Sequence, residues 1–469
     1  MPCPMSDKSL LLIGAGIHPA PEVGLFQQAL QPAATNLRIN LEERNLTQKI
    51  INIIIDYWGH LKLFSRNARL FLVGIFFVGL NFSIFMLLLN LYFKELGFTE
   101  DMIGEVLSLT SWGMAIISVP AALIIPKIQI KKILIVSVLL AGIFYLFQAT
   151  LVERTQLLLA SFVLGMMSSV ARVAAAPFMM RNSTPKERTY LFSLHFGIYL
   201  FAAIIGSLGG GYLPNMFSHY VGSGAIAFRY SLYLSVFLGV LALIPFMMIT
   251  PEKKVADPPK HKKEWDKKLL TQRGVLLFRL CSPFFILGMG AGLIIPFLNL
   301  YFRDRFLLPA RTIGIFFALL QFFMLAGILI GPLLSKKFGM IKTVVSTQLS
   351  SIPFMLVLAF TYNLPLAVVS FLFRGALMNM SHPISTNFAM EKVKEKEQAL
   401  ANALLMLSWT GSWAVSANLG GRLIKAYSFT PPLLITVGLY VISSVLYYLF
   451  FSSGEDKKIG KAVLTFRET

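Results

Sequence analysis

The sequence predicts an all-α membrane protein, with twelve transmembrane helices in two six-helix pseudo-symmetric halves. Three observations predict it. Of 469 residues, 56% are hydrophobic and only 14% are charged, with a mean hydropathy of +0.70. A soluble domain carries about a quarter charged residues, so this much apolar surface must be covered by lipid. Apolar runs long enough for a helix to cross about 30 Å of hydrocarbon recur along the chain, without the alternation of barrel strands. The chain also repeats itself. Asn90-Leu91-Tyr92-Phe93-Lys94 returns as Asn299-Leu300-Tyr301-Phe302-Arg303, and Ile103-Gly104 returns as Ile313-Gly314. Held at a shift of about 210 residues, the echo pairs Lys127 with Lys337, Gly165 with Gly375, and Gly210-Gly211 with Gly420-Gly421. So long a period marks a duplicated domain rather than a solenoid.

The elements follow in order. Residues 1–65 form a cytoplasmic N-terminal tail, mixed and without period over the first 45 or so. Within it, Ile50, Ile51, Ile54, Tyr57, Trp58 and Leu61 fall on one helical stripe, which predicts an amphipathic helix lying in the membrane interface. The first half occupies 66–250, with spans at 68–93, 102–125, 130–150, 156–180, 189–214 and 229–249. A basic, Pro-containing cytoplasmic linker covers 251–273. The second half occupies 274–452, with spans at 275–302, 311–334, 341–361, 365–390, 399–425 and 431–451. Residues 453–469 read as a second cytoplasmic tail.

The formal charge is +20, from 42 Lys and Arg against 22 Asp and Glu. These charges gather in short loops between apolar runs, which favours the positive-inside rule over nucleic-acid binding. Lys127, Lys131 and Lys132, then Arg181, Lys186 and Arg188, then Lys336, Lys337 and Lys342, then Lys392, Lys394 and Lys396 all fall in even-numbered gaps. Both termini and the linker are therefore expected in the cytoplasm of a multi-pass protein of the cell membrane. The two cysteines, Cys3 and Cys281, give neither a disulfide framework nor a metal site.

Several motifs resemble those of the major facilitator superfamily, over residues 66 to 452. The stretch from Gly331-Pro332-Leu333 through Lys342 resembles that family's loop motif between the second and third helices of each half. A more altered copy lies around Pro126-Lys127 and Lys131-Lys132, and both copies lack the usual aspartate, with Ser335 in the second. Pro185-Lys186-Glu187-Arg188 resembles the basic turn after the fourth helix. Gly206-Ser207-Leu208-Gly209-Gly210-Gly211 resembles the fifth-helix glycine motif of drug and metabolite exporters, with Ser207 in place of proline. Gly420 and Gly421 occupy the same repeat position in the eleventh helix. The resemblance implies a secondary transporter that moves a small organic solute by alternating access, an exporter coupled to protons.

Ionisable groups inside a span are costly and tend to line a pathway. Arg374 and Arg172 lie within the tenth and fourth spans, and Arg172 stands opposite His382 by the repeat shift. Helical spacing puts Arg374, Met378 and Ser381 on one face with His382 beside them. A cationic cluster meeting an anionic or polar substrate group is the expectation; snorkelling or carbonyl capping is the alternative. Asn81, Asn299, Gln321 and Asn379 offer neutral hydrogen bonds, either to substrate or between helices. Trp409 and Trp413, at i and i+4, share a face on which a flat or greasy substrate could stack. Glu105 and His195 are the further candidates for carrying protons, with a helix N-terminal role the alternative for Glu105. Gly206, Gly210, Gly211, Gly420 and Gly421 are expected at close helix contacts. Gly209-Gly210-Gly211 lies in a span and HExxH, CxxC and GxSxG are absent, so neither an enzyme nor a cofactor is expected. The expected partners are a small organic or amphiphilic substrate, membrane lipid and H+, for a monomer that binds no nucleic acid. A lipid or lysolipid-like amphiphile carrier, and a non-transporting receptor or scaffold, are the rival readings.

Overall fold

The computed structural model describes residues 64–125, 128–222, 224–251, 267–393 and 395–465. The N-terminal tail with its amphipathic stripe, and most of the 251–273 linker, lie outside these residues. The first six spans are Arg66–Glu95, Glu100–Ile124, Ile130–Thr150, Arg154–Arg181, Pro185–Val221 and a sixth in two pieces, Gly224–Val240 and Leu243–Met248. The seventh runs Lys267–Ile294, passes through a 3-10 turn at Ile295–Phe297 and continues as Leu298–Phe306. Ala310–Phe338 is the eighth, and the ninth is divided into Met340–Ser350 and Ile352–Phe360. Leu364–Lys392, Glu395–Tyr427 and Thr430–Thr465 complete the set. Eleven of these are long and apolar enough to cross a membrane by composition alone. The remaining one is the eleventh, which carries Ser408, Trp409, Thr410, Ser412, Trp413 and Ser416.

The three interruptions have one cause. Proline lacks an N–H and crowds the carbonyl four residues back, and Pro245, Pro296 and Pro353 each sit beside a break. At the seventh span the break also redirects a backbone donor: Leu300 N donates to Asn299 Oδ1 at 2.9 Å, and the Pro296 carbonyl, which needs a partner at membrane depth, accepts from Asn90 Nδ2 at 2.6 Å.

Several helices outrun the expected spans. The fifth extends to Val221 rather than 214, the sixth begins at Gly224 rather than 229, and the seventh begins at Lys267, inside the expected linker. The twelfth continues to Thr465, through residues expected as a tail. Hydropathy marks only the lipid-covered part of a helix, whereas polar caps extend it into water. At the fifth span Glu187 Oε1 accepts from Thr184 N at 2.9 Å. At the fourth, the Glu153 carboxylate accepts from Thr155 N and Gln156 N at 3.0 and 2.9 Å, which holds its carboxyl below the usual range.

The duplicated tyrosines make duplicated bonds. Tyr92 Oη donates to Ala149 O and Tyr301 Oη to Leu358 O, each at 2.8 Å, tying the first helix of each half to the end of its third. Between the halves, the second span packs on the eleventh and the fifth on the eighth.

Candidate functional site

The contacts between the halves gather at one end of the bundle. The second and eleventh spans cross where Gly104 faces Gly421, and the fifth and eighth cross where Gly211 faces Gly314. A methyl group on Gly421 would stand 3.0 Å from Gly104 Cα, and one on Gly314 would stand 3.0 Å from Gly211 Cα. The two crossings are images of each other under the duplication. Between them Asn299 Nδ2 donates to Leu87 O at 2.8 Å, and Asn299 Oδ1 accepts from Asn90 Nδ2 at 3.2 Å. Ser108 Oγ donates to Ala414 O. Two ion pairs bridge the halves at this end: Arg303 with Glu95 and Lys425 with Asp101, both at 2.8 Å. We call it the sealed end.

Behind the seal, between the halves, lies a cavity of about 520 Å³. The first half contributes Phe82, Ser83, Phe196 and Tyr199; the second contributes most of the polar wall. Arg374 is 5% exposed and donates to Tyr440 Oη at 2.8 Å, while its Nε has no partner. Ser381, Gln348 and Ser443 line the same region. No Asp or Glu lines this cavity among the described residues. An aromatic run forms the facing wall: Phe284 meets His382 at 6.2 Å, His382 meets Trp409 at 5.8 Å, and Trp409 meets Trp413 at 5.9 Å between ring centroids. The Trp413 indole N–H is buried and unpartnered. The eleventh helix comes close enough for this because Ser412 and Ser416 pack on Gly288 and Gly292 of the seventh. Gln321 and Asn379 line the cavity too, with Asn379 Nδ2 donating to Gly375 O at 2.9 Å.

The expected joint cluster of Arg172 and Arg374 does not form. Arg374 stands about 6 Å from the midpoint of its helix toward the sealed end, whereas Arg172 stands about 7 Å from the midpoint of its own helix the other way, at 1.5 Å per residue. Arg172 lines a separate cavity of about 340 Å³ inside the first half, together with Asn81 and His195. Asn81 Oδ1 accepts there from Ser235 Oγ at 2.9 Å, and His195 stacks on Phe71 at 5.8 Å. Asn299 lines neither cavity and is spent on the seal. Glu105 lies one turn from its helix start and is bonded through both oxygens to Arg154, at 2.8 Å. Gly206 packs on Ser83, Gly210 on Ile84 and Gly420 on the Leu293 carbonyl. Tyr440 was not among the expected site residues. Its signal, a tyrosine inside the apolar run of the twelfth span, was one of many aromatics there.

Comparisons with known proteins accord with this architecture. No curated protein matches the sequence. Among solved structures, a mutant of the nucleoside transporter NupG superposes with a TM-score of 0.69 at 14% identity, covering 82% of this chain and 100% of that one. A bacterial homolog of the human lysosomal transporter Spinster, inward-facing and unoccupied, gives 0.67 at 15% identity, covering 82% and 97%. At such identities the likeness is one of fold. The Major Facilitator Superfamily sequence profile matches residues 71–345 and 280–465. Together with the duplicated halves and the cavity between them, that match places this chain in the Major Facilitator Superfamily.

Proposed function

We propose that this protein carries a small organic solute bearing an anionic or strongly hydrogen-bond-accepting group across the cell membrane, as a proton-coupled exporter. It works as a monomer by alternating access and catalyses no reaction. One observation carries the reading: the Arg374 guanidinium is buried in the cavity between the halves, with one neutral partner and an idle Nε. A buried charge needs a counter-charge or several hydrogen bonds, and a substrate carboxylate or phosphate supplies both. Trp409 and Trp413 offer faces for a planar or greasy body. With Glu105 paired at the rim and His195 in the separate first-half cavity, His382 is the histidine placed to carry protons in this cavity. The seal at one end, with a cavity reaching toward Ser385 and Tyr447, fits a carrier caught open to one side. The basic loops favour a cytoplasmic position for that open side, the linker and both termini.

The apolar wall of Phe82, Phe196, Phe284 and Met324 favours a second reading, an amphiphile carrier. Proteoliposome flux decides. Aromatic carboxylates and lysolipids are offered with and without an imposed pH gradient, and orientation is read from labelling of cysteines at Lys260 and Asn363. Gradient-driven movement of a short carboxylate supports the proposal. Flux that grows with acyl length supports the amphiphile carrier, and binding without flux makes the protein a receptor.

A further inference from the structure

The second cavity belongs to neither the seal nor the pathway between the halves. Its walls come from the first, third, fourth, fifth and sixth spans, all within the first half. It shares only Phe82, Phe196 and Tyr199 with the central cavity. Those three rings therefore act as a partition, and Phe82 and Tyr199 lie 6.1 Å apart between centroids.

The chemistry inside is uneven. Most of the lining is apolar, with Ile75, Val78, Leu134, Val138 and Phe246 among it. Against this stands one permanent cation. Arg172 is exposed rather than packed, and it makes no hydrogen bond or ion pair among the described residues. No Asp or Glu lines the cavity among the described residues. Asn81, Ser137, Tyr145, Ser168, His195 and Tyr199 are the other polar residues that line it, none of them an acid. Asn81 Oδ1 is taken by Ser235, which leaves the amide's donor end for something else. Snorkelling is not needed to explain an arginine that already faces a cavity. What the cavity lacks is negative charge.

We propose that the first-half cavity is a second ligand site, distinct from the central one, which takes a carboxylate-bearing amphiphile. The carboxylate meets the Arg172 guanidinium in a two-bond fork, with Asn81 donating from the side. The aliphatic body lies along the Leu134, Val138 and Phe246 wall and is shielded from the central cavity by the three rings. A volume of about 340 Å³ falls at the small end of ligand pockets, which suits a short chain and not a diacyl lipid. The duplication gives the site a parallel: each half carries an arginine from its fourth helix facing a cavity, at different depths. The proposal stands independently of the transport reading, because nothing in it uses Arg374.

The test is photolabelling of the full-length protein in nanodiscs of zwitterionic lipid, with an octanoate carrying a terminal diazirine. Octanol bearing the same group is the uncharged comparator. Labelled residues are mapped by peptide sequencing. Label should appear between 134 and 175, be competed by unlabelled octanoate and not by octanol, and fall at least tenfold in Arg172→Gln. Arg374→Gln should leave it unchanged. Ala141→Leu, which fills the cavity and leaves the arginine in place, should also remove it, so a folding defect in one variant does not decide the matter. Labelling confined to residues beyond 280, first-half labelling that survives both substitutions, or no labelling would overturn the proposal.

Discussion

Arg374 and Tyr440 form a charge-assisted hydrogen bond in the wall of the central cavity, linking the tenth and twelfth spans. A guanidinium presents a planar fork, whereas an ammonium is a point charge on a flexible stem. Arg374→Lys should preserve expression and weaken affinity for an anionic ligand about tenfold or more, or about 1.4 kcal/mol, with a smaller effect on a neutral one. Tyr440→Phe should cost less, because it leaves the fork in place. Direct binding measurements on both variants check this, and unchanged affinity in Arg374→Lys and Arg374→Gln would reduce the arginine to a structural cap. The sequence made Arg374 legible because charge inside an apolar run is rare. The face shared by Met378 and Ser381 was legible too, since helical spacing is a property of the chain. Tyr440 was not, because partners on a distant helix are set by packing. The same limit explains Arg172. Its depth could be counted along the helix, but the ring partition that closes it off could not. Glu105 looked available for protons because its partner, Arg154, sits 49 residues away.

At the scale of elements, the glycines do most to place the helices. The repeat showed Ile103-Gly104 with Ile313-Gly314, and Gly210-Gly211 with Gly420-Gly421, as two separate echoes. The structure makes each echo one side of a contact: Gly104 meets Gly421, and Gly314 meets Gly211. A period reports which positions are equivalent, not which ones touch. Backbones this close leave no room for a Cβ, so Gly421→Leu should wedge the second and eleventh spans apart while sparing membrane insertion. Transport should fall at least tenfold, and a cysteine replacing Gln321 should become reactive to a bulky, impermeant thiol reagent applied from the sealed side. Normal flux together with unchanged labelling would mean that this crossing does not hold the seal. Breaks and lengths were less legible. Proline signalled the divided sixth, seventh and ninth spans, yet other prolines, such as Pro177 and Pro383, lie inside unbroken helices. A proline alone therefore does not decide whether a helix breaks or only bends; at the seventh span Leu300 N turns to Asn299 Oδ1, and Asn90 from the other half takes the Pro296 carbonyl.

For the whole molecule, the question is what holds one end shut. The loop motif that resembles the family's lacks the aspartate in both copies, so an aspartate-based latch at the linker end has no such side chain to build on. Among the described residues, charged contacts between the halves stand at the opposite end, as Arg303 with Glu95 and Lys425 with Asp101. Arg305 is used differently, donating to the Leu358 and Ala359 carbonyls and lying over the Tyr362 ring. Both inter-half pairs are partly exposed, at 30% and 33% for the first and 47% and 32% for the second. Pairs of this kind contribute about 0–1 kcal/mol each, so they bias the conformational equilibrium without locking it. The glycine crossings and the Asn90–Asn299 bonds supply the fit, and the ion pairs tilt the balance. Replacing Arg303 and Lys425 together by Gln should shift the population toward opening at this end by about 1 kcal/mol, roughly fivefold in the equilibrium. Spin labels flanking the seal, on the second and eleventh spans, read that shift as growth of a longer distance component. The same growth should appear in the parent protein at high salt, because exposed charge pairs are screened there. A distance distribution unchanged by both treatments would leave the ion pairs without a part in the seal.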